Sequence, residues 1–136
     1  MRTLKLTLKR QWYDLIKSGA KKEEYREIKP YWIGRLFTFD DHFDCDCICE
    51  IHADMQNINK HFDSINQMMN FFDCKYSEFN FIQFTNGYSA NSPRITVECK
   101  GMRIGTGRPE WGAVEGVNYF VIELGDVLTS NEAETK

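Results

Sequence analysis

The second half of the chain restricts the fold most strongly, because its apolar residues cluster in short segments separated by turn-forming residues. From Phe79 onward, aromatic and β-branched residues gather in "FNFIQF", "RITVECKGMRI" and "YFVIELGDVL". The intervening sequences, "NGYSANSP" and "GTGRPEWGAVEGV", are rich in glycine, asparagine, serine and proline. This arrangement predicts three late strands joined by turns.

The first residues predict a strand that leads into a short helix. "LKLTLK", residues 4–9, alternates leucine with lysine or threonine, which is the pattern of a half-buried strand. "QWYDLIKSG" then places Trp12, Leu15 and Ile16 at helical spacing. Gly19 suits the left-handed position that commonly ends a helix.

Four further elements are predicted before the late strands. Residues 22–28 are interpreted as a strand, because Pro30 disfavours helix at the residue before it and can open a helix over "PYWIGRLF". In that helix, Tyr31 and Trp32 are expected to pack against the barrel, with stacking on a ligand as the alternative. "FDCDCICEI", residues 43–51, alternates like a strand, and "DSINQMMNFF" has the apolar stripe of a surface helix.

Strands dominate this prediction, and the connections between them are short. A chain of 136 residues with 42% hydrophobic content can bury one core. We therefore expect a single α+β domain over residues 1–128, built around a small curved sheet or barrel. The polar residues 129–136 are expected to form a disordered tail.

The composition limits location and partners. The longest apolar runs fall far short of the ~20 residues needed to cross a bilayer, and "MRTLKLTLKR" lacks the features of a signal peptide. Five cysteines, an odd number, favour reduced thiols. We therefore expect a cytosolic protein with no membrane partner. The net charge of -3 disfavours strong sequence-independent binding of nucleic acid, so any such binding must be local.

Metal binding and nucleophilic catalysis are not favoured by the residues that would serve them. Cys45, Cys47 and Cys49 share one face of a predicted strand, where neighbours lie roughly 6.5–7 Å apart, whereas zinc needs each sulfur at about 2.3 Å. We interpret them as small buried hydrophobes. The histidines are scattered, no Gly-x-Ser-x-Gly motif is present, and "GMRIGTG" predicts a tight hairpin rather than a phosphate loop. The sequence predicts neither a metal ion nor a cofactor.

The segment "GAKKEEYREIKPYW" contains the strongest candidate for a binding site. As a strand, it would place Lys22, Glu24 and Arg26 on one face, with Lys21 at the strand entrance. A carboxylate and a guanidinium two residues apart can pair and still leave donors for a planar polar ligand. Lys21 and Arg26 suit a phosphate or a carbonyl, and Glu24 suits an exocyclic amine. A fully solvated charged strand is the alternative interpretation.

The spacing Gly19-x-Lys21-x-x-Glu24-x-Arg26 resembles the GxKxxExR signature of the ASCH domain family, and it follows the first strand and helix as in that family. The late segments "FTNGYSANSPRITVECKG", "GRPEWG" and "YFVIELGDVL" are similar to those of small single-domain ASCH proteins. The resemblance implies a PUA-like fold, which is a small β-barrel with flanking helices, and a cleft where the motif residues meet a ligand.

Two functions of different class follow from this resemblance. Most ASCH domains are regarded as RNA-binding modules, which implies that RNA or a nucleotide-like ligand binds at Lys21, Glu24 and Arg26. Some compact members resemble amidohydrolases that deacylate modified cytidine, or a ribonuclease, and these would give Lys21 and Glu24 catalytic roles. The amidohydrolases carry threonine where this chain has Glu24. Their distal glutamate would correspond to one of three residues, Glu98, Glu110 or Glu123.

The glycine-bounded loop "GRPEWG", residues 107–112, adds Glu110 and Trp111 as candidate ligand contacts. An exposed indole would offer a stacking surface for a base, and a tryptophan folded back to fill the barrel is the alternative. In "TNGY", Asn86 is expected to shape a hairpin turn, with Tyr88 at a strand edge.

Overall fold

The computed structural model describes residues 2–38 and 75–130. In chain order the elements are β1 (Thr3–Thr7), α1 (Arg10–Lys17), β2 (Glu23–Arg26), α2 (Pro30–Leu36), β3 (Phe37–Thr38), β4 (Lys75–Tyr76), β5 (Phe81–Thr85), β6 (Arg94–Thr106), a 3-10 turn (Pro109–Trp111) and β7 (Asn118–Ser130). The predicted strand over 43–51, with Cys45, Cys47 and Cys49, lies outside the described residues, as do the predicted helix that follows it and residues 131–136.

Five of the strands form one mixed sheet in the order β1-β5-β6-β7-β2. β1 runs parallel to β5, and every other neighbouring pair is antiparallel. β3 and β4 form a separate two-stranded pair. The described residues thus have the predicted α+β class: a curled five-stranded half-barrel with two α-helices. Within them, neither helix has the length and apolar character needed to span a membrane.

The two longest strands bend the sheet. β6 and β7 have 13 residues each, and their pairing shifts register between Thr96 and Gly101. Such bulges bend a strand and increase its twist. The predicted hairpin at "GMRIGTG" is wrong, because Gly101 to Thr106 continue β6 and pair with β7. Gly101 borders a register shift, Gly105 pairs regularly with Tyr119, and the chain leaves the sheet only after Thr106.

Alternating apolar residues of the sheet and one face of each helix form the core. Its largest fully buried side chains are Tyr13, Phe84, Phe120, Ile16, Ile33 and Leu36. On α1 the buried positions are Tyr13 and Ile16, whereas Leu15 is only half-buried. On α2, Trp32 packs against the core as predicted, but Tyr31 is 62% exposed, so its predicted packing is wrong.

The curling of the sheet brings its two edge strands close together at one end. Thr7 is the last residue of β1, and Arg26 is the last residue of β2. Nη2 of Arg26 donates a hydrogen bond to the carbonyl oxygen of Thr7 at 3.2 Å. A side chain from one edge therefore bridges to the backbone of the other, and the candidate site lies at this junction.

Candidate functional site

The turn after α1 determines where Lys21 lies. The helix ends at Lys17, and Gly19 follows with a φ of 85°, a left-handed conformation that glycine adopts without strain. The amides of Ala20 and Lys21 both donate to the carbonyl oxygen of Leu15 at 3.0 Å, which closes the turn. The predicted helix-ending role of Gly19 is confirmed, and Lys21 leaves the turn two residues later.

Lys21 is buried, with only 2% of its surface exposed. Its Nζ lies 3.1 Å from Oε1 of Glu24 and donates a hydrogen bond to the main-chain carbonyl oxygen of Trp111. The same ammonium group lies 4.6 Å from the ring centroid of Trp12 and 5.3 Å from that of Tyr25. Attraction to these two ring faces helps to hold the charge in a place that water scarcely reaches.

Glu24 lies between two cations. Its Oε1 pairs with Lys21, and its Oε2 lies 2.7 Å from Nη2 of Arg26. The Arg26 guanidinium also lies 5.0 Å from the ring centroid of Trp32. Because Glu24 is only 5% exposed, these pairs form largely out of water, where removing one partner is costly. We refer to Lys21, Glu24 and Arg26 as the charged cluster.

The charged cluster carries two positive charges and one negative charge. Burial has the largest effect on Lys21 and lowers the pKa of its ammonium, whereas pairing with Glu24 raises that pKa and Arg26 lowers it. Nε of Arg26 is buried and has no hydrogen-bond partner within the described residues. The cluster therefore has a net attraction for an anion, and Glu24 holds its two cations in fixed positions.

The charged cluster lines a cleft of about 650 Å³. The other walls are the segment from Thr7 to Lys9 with the ring of Trp12, the turn at residues 86–88, and the Trp111–Gly112 segment. Together with the charged cluster, these walls come from four separate regions of the chain, and they meet where the two edge strands of the half-barrel converge. The cleft thus combines a buried charged wall with aromatic rings, which is a chemistry suited to a planar ligand that carries negative charge.

Tyr25 fixes the loop that carries Trp111. Its hydroxyl group donates to Oε1 of Glu23 at 2.7 Å and accepts from the amide of Arg108 at 2.9 Å. Burial is the largest cause that raises the pKa of Tyr25 to about 12. Gly107 permits this contact, because a Cβ atom there would lie 2.6 Å from two ring carbons of Tyr25. The position of the loop therefore depends on a close approach that only glycine allows.

The structure brings four of the predicted site residues together at the cleft: Lys21, Glu24, Arg26 and Trp111. Trp111 is half-buried, so it is neither a freely exposed platform nor a buried plug. The guanidinium of Arg108 covers its indole at 4.8 Å from the ring centroid. The main contribution of Trp111 to the cleft is its carbonyl oxygen, which accepts a hydrogen bond from the ammonium group of Lys21.

The glutamates considered for a distal catalytic role lie elsewhere. Glu110 is exposed in the 3-10 turn, Glu98 lies on β6, and Glu123 on β7 lies 3.9 Å from Nε of Arg103. None of these three residues is among the described residues that line the cleft. The sequence predicts that Lys22 shares one strand face with Glu24 and Arg26. This prediction is wrong, because Lys22 precedes β2 and lines a different cavity.

Two aromatic residues of the cleft are not identified as site residues by the sequence. The helical spacing of Trp12 predicts a core position, yet its ring covers the ammonium group of Lys21. Tyr88 lies in the turn beside the cleft and is 94% exposed. The only sequence signal for Tyr88 is a large aromatic residue directly after the Asn86-Gly87 turn, where burial is not expected.

No group of three or more histidine, cysteine, aspartate or glutamate side chains is placed to hold a metal ion in the part of the chain that the structure describes. Cys99, a free cysteine on β6, is half-buried, and burial raises the pKa of its thiol. The three histidines and the cysteines of the predicted strand over 43–51 lie outside the described residues.

Comparison with family models, curated proteins and solved structures gives no match.

Proposed function

We propose that the protein is a PUA-like domain of the ASCH type that binds RNA or a nucleotide-like ligand in the cleft. The observation that carries this proposal is the charged cluster, in which Lys21 and Glu24 are buried and Arg26 is half-buried, although the cluster forms a wall of an open cavity. A solvated charge run would leave these side chains exposed, whereas Lys21 and Glu24 are 2% and 5% exposed. The alternative of a solvated strand therefore does not account for the motif.

The charges of the cluster favour an anionic group of limited size. Two cations and one carboxylate leave a single net positive charge, which matches one phosphate better than a run of phosphates. Arg26 offers guanidinium donors beyond Nη2, and guanidinium groups suit phosphate oxygens and base carbonyls. The overall charge of -3 is consistent with such a local contact.

Aromatic residues supply the second requirement of nucleotide binding, a stacking surface. Tyr88 presents a ring that is 94% exposed at the cleft, and such a ring contributes little to folding. The turn that carries it is internally bonded, because the amide of Ser89 donates to Oγ of Ser92 at 3.0 Å and the amide of Asn86 donates to the carbonyl of Pro93 at 3.0 Å. These bonds fix the backbone of the turn, and a base placed over the cluster would meet the exposed ring of Tyr88.

A small hydrolase that uses Lys21 and Glu24 on a modified nucleoside is the second candidate. The lowered pKa of Lys21 favours it, because a lower pKa makes it easier to form the neutral amine, which is the form that accepts a proton. Against it, both carboxylate oxygens of Glu24 already pair with cations, and no threonine stands at this position. We therefore place binding ahead of catalysis.

The test is a titration of the protein with ribonucleoside 5′-monophosphates and with a short single-stranded oligoribonucleotide. Binding is monitored by the tryptophan fluorescence of the protein. Trp12 and Trp111 both line the cleft and report on ligand there. Lys21→Met should abolish binding while leaving the Glu24 pair with Arg26 intact. The matched control, Lys5→Met, alters an exposed lysine outside the cleft and should bind normally.

If Lys21→Met bound every probe as tightly as the unaltered protein, the cleft would not be the site. Incubation with acylated cytidine separates the two candidate functions. If the unaltered protein released the acyl group and Lys21→Met did not, catalysis would be placed ahead of binding.

A further inference from the structure

A second cavity adjoins the cleft at Trp111, which lines both. It has a volume of about 540 Å³ and lies beside β2 and β7. Its charged lining residues are Lys22, Glu23, Lys100, Arg108 and Glu123. The cation-rich part of this lining comes from three separate regions of the chain: the residue before β2, the middle of β6 and the loop before the 3-10 turn.

The acidic residues of the second cavity have a partner of their own. Oε2 of Glu23 lies 3.0 Å from Nη2 of Arg103, and Oε2 of Glu123 lies 3.9 Å from Nε of the same guanidinium. The other carboxylate oxygen of Glu23 accepts the hydroxyl proton of Tyr25. Arg103 does not line this cavity. One positive charge outside the cavity therefore offsets part of the two negative charges of its wall.

The three cations of the second cavity outnumber its two carboxylates and are not paired with them. Lys22, Lys100 and Arg108 form no ion pair with any described residue. The guanidinium of Arg108 packs on the indole of Trp111 at 4.8 Å, which orients it without neutralising it. Like charges around one concave surface repel each other, and an anion bound among them relieves that repulsion.

Consecutive lysines serve the two cavities. Lys21 lies in the wall of the cleft, and Lys22 lies in the wall of the second cavity. Two residues that are adjacent in the chain therefore supply one cation to each cavity. Because Trp111 lines both cavities, the two cationic sites are neighbours.

We propose that the second cavity receives the phosphate of a neighbouring nucleotide, so that the ligand is a single-stranded oligonucleotide rather than a free mononucleotide. This inference rests on the proposed function of the cleft. The first nucleotide occupies the cleft at the charged cluster, the chain passes Trp111, and the next phosphate lies among Lys22, Lys100 and Arg108.

The experiment compares uridine 5′-monophosphate with a fluorescein-labelled oligouridylate of about six nucleotides, a length within the site sizes of single-strand-binding folds. Dissociation constants are measured for both probes by competition and anisotropy between about 50 and 200 mM salt. The test variant is Lys22→Ala/Lys100→Ala. The matched control is Lys5→Ala/Lys17→Ala, which also removes two exposed lysines but lines neither cavity.

The unaltered protein should bind the oligonucleotide more tightly than the mononucleotide. In Lys22→Ala/Lys100→Ala this advantage should disappear, and the slope of log affinity against log salt should become shallower by about 0.7 for each phosphate that the variant no longer neutralises. The control variant should keep both the advantage and the slope.

Equal affinity of the unaltered protein for both probes, or an unchanged advantage in the test variant, would overturn the second site. In either case, loss of binding in Lys21→Met would still uphold the proposed function of the cleft. If Lys21→Met bound the oligonucleotide as tightly as the unaltered protein, both proposals would be overturned.

Discussion

Replacement of Glu24 by glutamine is the sharpest perturbation of the charged cluster. It replaces one carboxylate oxygen by an amide nitrogen, which removes the negative charge and leaves the shape of the side chain almost unaltered. The carboxylate lies 3.1 Å from Nζ of Lys21 and 2.7 Å from Nη2 of Arg26. In the variant, two cations share this space with no anion between them, and Lys21 remains 2% exposed.

The size of the effect follows from burial. Removing one partner of a buried ion pair costs about 3–5 kcal/mol, because the remaining charge stays desolvated and unpaired. For a domain of this size, 1 kcal/mol corresponds to about 3–5 °C in Tm. Glu24→Gln should therefore lower Tm by roughly 10–20 °C at neutral pH.

The loss should depend on pH with a definite sign. Burial already lowers the pKa of Lys21, and the variant removes the Glu24 carboxylate that raises it, so this pKa falls further. A lysine whose folded-state pKa is below its unfolded value makes the unfolded state bind more protons, so stability increases as pH rises toward about 10.5. The difference in stability between Glu24→Gln and the unaltered protein should therefore become smaller as the pH rises from 7 toward about 10.5.

Thermal unfolding monitored by circular dichroism measures both effects, and two variants serve as controls. Glu27→Gln makes the same substitution in an ion pair with Lys29 at 3.0 Å whose side chains are 65% and 57% exposed, and it should cost less than about 0.5 kcal/mol. Lys21→Met/Glu24→Gln removes both buried charges and should recover much of the loss. A Glu24→Gln protein that melts like Glu27→Gln would refute the assignment of a buried, mutually dependent cluster.

Three further outcomes are expected. Tyr88→Ala should leave Tm unchanged, because its ring is 94% exposed, but should weaken nucleotide binding by about 1–3 kcal/mol in fluorescence titration, whereas Tyr88→Phe should bind normally. Gly107→Ala should destabilise the protein by about 1–3 kcal/mol in urea unfolding, since its Cβ atom would lie 2.6 Å from the Tyr25 ring and 2.8 Å from Cβ of Ala113. An absorbance titration should show a tyrosine that ionises at about 12 and is lost in Tyr25→Phe, and stability should fall as pH rises from the ordinary value of 10.0 to this pKa.

Local sequence signals predict much of this fold because they describe elements that neighbouring residues determine. The alternation in "LKLTLK" overlaps β1, which ends at Thr7, and the segment "YFVIELGDVL" lies within β7. Gly19 ends α1 in the expected left-handed conformation, and Pro30 opens α2. Each of these features requires only a short window of sequence, since the backbone preference of a residue is expressed within its own turn or strand.

The errors arise where pairing between distant segments decides the outcome. Gly101 and Gly105 have the local character of turn residues, yet pairing with β7 continues β6 through both of them. The partners of Lys21 show the same limit: its ammonium group is received by the carbonyl oxygen of Trp111, 90 positions away. A main-chain acceptor has no residue type that could mark it, and only the topology of the sheet brings it to Lys21.

The identity of residue 24 links the geometry of the cluster to the choice between binding and catalysis. Desolvation lowers the pKa of Lys21, and Glu24 is the main group that opposes this effect. A glutamate at this position therefore favours the charged ammonium, which attracts an anion but cannot accept a proton. Threonine at this position would remove the carboxylate and favour the neutral amine. Glu24→Thr should accordingly weaken binding of a phosphate-bearing probe and make Lys21 react with an amine-modifying reagent at lower pH, and an unchanged reactivity profile would show that Glu24 does not control the protonation of Lys21.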